Sequence, residues 1–299
     1  MKRLPPLLIG LIFLSGSIVP PQTIIAQAPQ SANQNAWQTL LTSTKKRDPN
    51  ATLRAIQAVK NKQSASQSTK MIKRPSVNSS QTALLPVVNQ EDILMKHRHL
   101  ADEVLRSLPW QCQTSLKNFY VRYDNPSRRG LAGKNTIILD GSVPDEEFRA
   151  LLIHEFGHIT DLGCLQGGSA SSASNFKDGS ETIKIDDLSI GFYSISWADS
   201  KHQKTGSKDG DFVSGYAEWD PFEDFAETYA YFVLQNQSFR QRARSNHVLA
   251  EKYRWMGKNI FPSFELIAQG EYSWDGNVPW DTTKLSYEWK PEKTEVAVK

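Results

Sequence analysis

Five consecutive residues, His154-Glu155-Phe156-Gly157-His158, constrain this chain more than any other stretch. Imidazoles four positions apart on a helix stand one turn above each other, so both can face a single metal ion with Glu155 beside them. The neighbours Phe148, Leu151, Leu152, Ile153 and Ile159 are apolar, so the helix must be largely buried. Burying two imidazoles and a carboxylate with nothing to satisfy them is costly. The same five-residue pattern on a surface helix would mean nothing; in an apolar setting it points to a bound cation. One zinc ion there lowers the pKa of its water to about 7. Glu155 is then placed to take that water's proton as it attacks a carbonyl and to deliver it to the leaving amine.

Such a site needs a third protein ligand, and the sequence offers rivals. Cys164 follows His158 at the interval at which metzincins supply theirs, but Asp161 stands where those enzymes need a turn glycine. Asp161 shares a helical face with His154 and His158 and is given no role. The stronger rival is a second helix, capped by Asp220 with Pro221 at its first position and running to about Leu234. Glu223 and Glu227 share one of its faces, so one can ligate the metal while the other accepts a hydrogen bond from a ligating histidine. Their bland readings are a capping partner of Asp220 for Glu223 and a surface ion pair for Glu227. Phe222, Phe225, Tyr229 and Phe232 around them argue for burial instead. Tyr216 stands seven positions before Glu223, its bland reading being ordinary packing. His97, His99, His202 and His247 have no partner motif and are not expected to be ligands.

Tyr216 with Glu223-x-x-x-Glu227, after the upstream H-E-F-G-H, resembles the catalytic domain of anthrax lethal factor and its relatives, the Pro-Pro endopeptidases among them. The resemblance spans about residues 92–258. It implies an α+β, zincin-like metallopeptidase domain: a small mixed sheet, the metal helix, and a helical half carrying the third ligand. It further implies His154, His158 and Glu223 as zinc ligands, Glu155 as general base and Tyr216 as stabiliser of the oxyanion. The expected activity is peptide-bond hydrolysis. The substrate would be a peptide or protein lying extended along an edge strand, for which residues 136–139 stand in the matching place. The competing expectation is a zinc-stabilised cell-surface or binding module that has kept the scaffold and lost turnover. A Ser-rich insertion lengthens the interval between His158 and Glu223.

The 299 residues divide by composition. Residues 1–28 begin Met1-Lys2-Arg3, continue with an apolar run shorter than the roughly 20 residues that span a bilayer, and end at Ala26-Gln27-Ala28, the order of a secretory signal peptide. Residues 29–90 are rich in Gln, Ser, Asn and Lys and carry nine Lys or Arg against Asp48 alone, a net of +8. Such a stretch reads as a basic linker arm that contacts anionic membrane or wall polymer, as a pro-segment lying across the acidic domain until it is removed, or as a plain solvated spacer. From Glu91 onward 24 basic and 31 acidic residues give −7. The metallopeptidase domain is expected over 91–262 and a partly disordered C-terminal extension over 263–299. Export to a secreted, periplasmic or extracellular location disfavours nucleic acid as a partner and favours a disulfide between the two cysteines, Cys112 and Cys164. A monomer is expected.

Local patterns predict a helix over 91–108, strands over 119–123 and 136–139, and a capping box at Ser142 opening a helix over 145–161 that Gly163 ends. They further predict one or two strands around 190–197 and further helix over 238–258.

Overall fold

The computed structural model describes residues 83–263 and 265–290. The expected signal peptide and most of the basic segment lie outside the described residues, as do 291–299. Among the described residues no helix is long and apolar enough to cross a membrane.

Helix α1 (Met95–Ser107) turns Leu100, Ala101, Val104 and Leu105 inward. His97, also buried there, stacks on Phe148 and shares a 2.9 Å hydrogen bond with the Tyr123 hydroxyl. A three-stranded sheet follows in the order β1-β3-β2. Strand β3 (Thr136–Asp140) runs parallel to β1 (Asn118–Arg122) and antiparallel to β2 (Gly130–Ala132). Residues 136–139 therefore occupy the central strand, buried at every position, and not the edge expected of them. Continuous apolar character is what a centrally paired strand shows. The edge beside the helix that carries His154 and His158 belongs to the three residues of β2.

Helix α2 (Asp145–His158) opens with Asp145, Glu146 and Glu147, which complement the helix dipole. The expected capping box does not form: Pro144 occupies the cap position, and Ser142 is turned back to donate its N–H and hydroxyl to Asp140 Oδ1. Nor does Gly163 end the helix. The chain widens into a π-helical turn over Ile159–Cys164, and a disulfide joins Cys164 to Cys112. Within that turn Asp161 accepts a 2.5 Å hydrogen bond from the Tyr193 hydroxyl, while its other carboxylate oxygen is buried and has no hydrogen-bond partner among the described residues. Burial pushes the Asp161 pKa up from 3.8 to about 8.

After a β4–β5 hairpin (Ala173–Asp178, Glu181–Lys184), the segment expected to be strand is helix α3 (Ile190–Ser196). Its β-branched and aromatic letters suggested alternation, but tertiary packing overrides propensity. Phe192 packs edge-on against Phe225 and Trp255, and the adjacent Tyr193 packs against Phe222. Neighbouring residues facing one core suit a helix and not a strand. Helix α4 (Pro221–Leu234) starts where predicted, Asp220 accepting from Phe222 N and Glu223 N, and is buried along its whole length. The helix predicted over 238–258 is two, α5 (Asn236–Ala243) and α6 (His247–Asn259). They are divided where Asn246 caps α6 by accepting a 3.0 Å hydrogen bond from Leu249 N.

Packing continues past 91–262 at both ends. Val88 is buried in the core, and so are Ile267, Ala268 and Tyr287 of a β6–β7 hairpin (Ala268–Gly270, Tyr287–Trp289). Helices α2 and α4 cross closely: a Cβ on Gly157 would lie 3.0 Å from Ala226 Cα. That crossing sets the histidine face of one helix against the carboxylate face of the other.

Two outcomes follow. Gly157→Ala gains about 1 kcal/mol of helix propensity but overpacks a backbone contact, which costs about 1–3 kcal/mol; the urea midpoint should fall, and a rise would show that the crossing is slack. For Asp161 the folded pKa stands above the unfolded one, so its contribution is intact below the unfolded value of 3.8 and is lost as pH rises toward about 8. Asp161→Asn should therefore stabilise the protein more at pH 8 than at pH 4, at matched metal loading; equal gains by thermal melting would contradict the assignment.

Candidate metal centre

The crossing of α2 and α4 brings three side chains to one point. His154 Nε2 and His158 Nε2 lie 3.4 Å and 3.3 Å from Glu223 Oε2. One ligand atom from each of these three buried residues falls within 4.8 Å of the others. Glu223 Oε2 is buried, and among the described residues no donor meets it in good hydrogen-bond geometry. A carboxylate oxygen facing two imidazole nitrogens is a donor set that could hold a divalent cation. No family model, curated protein or solved structure matches the chain.

The groups behind the site are held from several directions. Glu227 Oε1 lies 2.8 Å from His154 Nδ1. Its other oxygen accepts from Ser214 Oγ at 2.5 Å and from the Thr282 N–H at 2.8 Å. A carboxylate this close to Nδ1 favours the tautomer that leaves Nε2 free to ligate. Burial opposes charge on both imidazoles, but Glu223, with Glu227 on His154, outweighs it and raises both pKa values. For Glu223 burial works in the opposite sense to the two imidazoles, which prevail and hold its pKa well below the usual carboxylate range. The pocket thus favours positive charge at its centre.

Glu155, on α2 between the two histidines, is buried, and burial pushes its pKa up. Its carboxylate rests against the backbone of the edge strand: a Cβ on Gly130 would overlap Glu155 Oε1. The Tyr216 ring sits 6.1 Å from the His154 ring, tilted by 30°. Burial and the charges of Glu223 and Glu155 raise its pKa well above 10, so the phenol remains a proton donor at neutral pH.

The structure thus gathers His154, Glu155, His158, Tyr216, Glu223 and Glu227 in one place. Cys164 is bonded to Cys112 and cannot be a ligand. Asp161 meets Tyr193, and not an imidazole, through its one hydrogen-bonded oxygen. Sequence reasoning missed Gly130, Ser214 and Thr282. Gly130 lies in a small-residue stretch that carried a faint signal; Thr282 acts through its backbone N–H, which no side-chain motif can announce.

Gly130→Ala forces Glu155 or β2 to move. We expect it to lower the thermal melting midpoint while His154, His158 and Glu223 can still take up a divalent cation; an unchanged midpoint would mean the carboxylate has room to spare.

Proposed function

We propose that the protein is an exported zinc endopeptidase of the lethal factor-like kind suggested by its motifs. The observation that carries this reading is the buried convergence of His154, His158 and Glu223 with Glu155 on the same helix. A zinc ion held by these three groups would act as a Lewis acid on a peptide carbonyl and acidify a bound water to a pKa of about 7. Glu155, its basicity raised by burial, accepts the proton of the attacking water and passes it to the leaving amine nitrogen. The Tyr216 phenol donates to the oxygen on which negative charge develops, a contribution of about 3 kcal/mol for one such donor. Glu227 keeps His154 in the required tautomer. The edge of β2, unpaired among the described residues and with its first residue against Glu155, would pair with the main chain of an extended substrate. The disulfide agrees with an oxidising compartment.

The test separates metal from chemistry. Glu155→Gln should lower cleavage of a peptide library by about 10²–10⁴-fold while zinc stays near one equivalent, and Glu223→Ala should lose the metal itself. Cleavage undiminished in Glu155→Gln, or wild-type protein that takes up no zinc, would sink the reading; zinc uptake without turnover in the wild type would favour a binding module. Because the ligating imidazoles must be neutral, zinc affinity should fall as pH drops through their raised pKa values.

A further inference from the structure

The segment that runs from Pro279 to Thr283 touches three separate parts of the candidate site. Its backbone pairs with the turn carrying the tyrosine: Gly215 N donates to Pro279 O and Tyr216 N to Trp280 O, both at 2.8 Å. Gly215 has no side chain to spare, because a Cβ there would lie 2.8 Å from the Trp280 ring. Two residues on, the Thr282 N–H supplies one of the two hydrogen bonds that Glu227 Oε2 accepts. Between them Asp281 pairs with Arg129, whose Nη1 also donates to Thr283 Oγ1 at 3.1 Å and to Glu147 Oε1 at 2.7 Å. Arg129 immediately precedes Gly130, the residue against the Glu155 carboxylate. Asp281, Thr282 and Thr283 are all buried.

We infer that residues 279–283 are a positioning strap: they hold the Tyr216 turn, the carboxylate behind His154 and the edge strand beside Glu155 in mutual register. The inference rests on the proposed zinc-peptidase reading. Local packing alone would not require one five-residue segment to bond to the backbone of the proton donor, to the carboxylate orienting a ligand and to the arginine next to the base's strand. Thr282 is the central positioning residue, since a main-chain donor keeps its place without side-chain rotamer freedom. Asp281 acts through Arg129. Neither touches substrate.

The test uses the full chain with its disulfide intact and compares Thr282→Pro, which removes the N–H, Thr282→Ser, which keeps it, and Asp281→Asn. Zinc affinity is read by competition with a chromophoric chelator, kcat and KM on a peptide that the wild type cleaves, and stability by thermal melting. Thr282→Pro should weaken zinc binding about tenfold, as expected for loss of support to a ligating histidine, and lower kcat with KM nearly unchanged. Thr282→Ser should restore both. Asp281→Asn should lower kcat several-fold with a smaller effect on zinc. If both Thr282→Pro and Asp281→Asn melt earlier but keep wild-type zinc affinity and kcat, the strap is packing and the inference is overturned. Should Thr282→Pro fail to fold, Asp281→Asn decides alone, and unchanged kcat overturns it. A wild type that binds zinc and cleaves while the variants match it removes the strap only; a wild type that binds no zinc removes the strap and the reading beneath it.

Discussion

The contact between Gly157 and Ala226 is the constraint on which the site depends. Two helices with ordinary side chains at their crossing pack about 8–10 Å apart. A glycine facing an alanine lets the backbones approach closely beside the point where a glutamate of α4 meets two imidazoles of α2. Both helices are buried for most of their length, so neither can slide without opening the core. The geometry of the three converging groups is inherited from the packing of small residues a turn or less away.

Charge is handled in layers around this crossing. The face of α4 toward α2 presents Glu223 and Glu227, which answer the imidazoles. On another side Asp224 is fully buried and answers Lys252 at 2.8 Å, with the Trp197 indole N–H donating to the same carboxylate. The Lys252 ammonium also lies 4.1 Å from the centre of the Phe212 ring. A buried ion pair contributes little net stability by itself, but removing one member is strongly destabilising. Its presence restricts how α4 can rotate, because a turn that carried Glu223 away from the histidines would also strand Asp224.

Much of the site was legible because its chemistry sits in side chains at helical spacing. His154 and His158, then Glu223 and Glu227, are pairs whose i, i+4 interval states a shared face, and Asp220-Pro221 marks the start of α4 without ambiguity. What was not legible depends on partners remote in sequence or on the backbone. Residues 136–139 read as a strand, yet whether a strand is central or at an edge is decided by which neighbours pair with it, and Gly130-Leu131-Ala132 is too short to advertise itself. The helix at 190–196 has the letters of a strand and is settled by Phe225, Phe222 and Trp255. The role of residues 279–283 is carried largely by N–H and C=O groups that every residue possesses.

The Cys112–Cys164 bridge closes a covalent ring around 52 residues of separation, and what lies inside that ring matters. It encloses the three-stranded sheet and all of α2, hence both imidazoles and Glu155, but not Glu223 or Tyr216. One half of the candidate site is therefore covalently cyclised and the other is attached to it through the core and hydrogen bonds. A coordinated cation would bridge the ring and the open half, acting as a rivet across the one seam that the disulfide leaves unsewn.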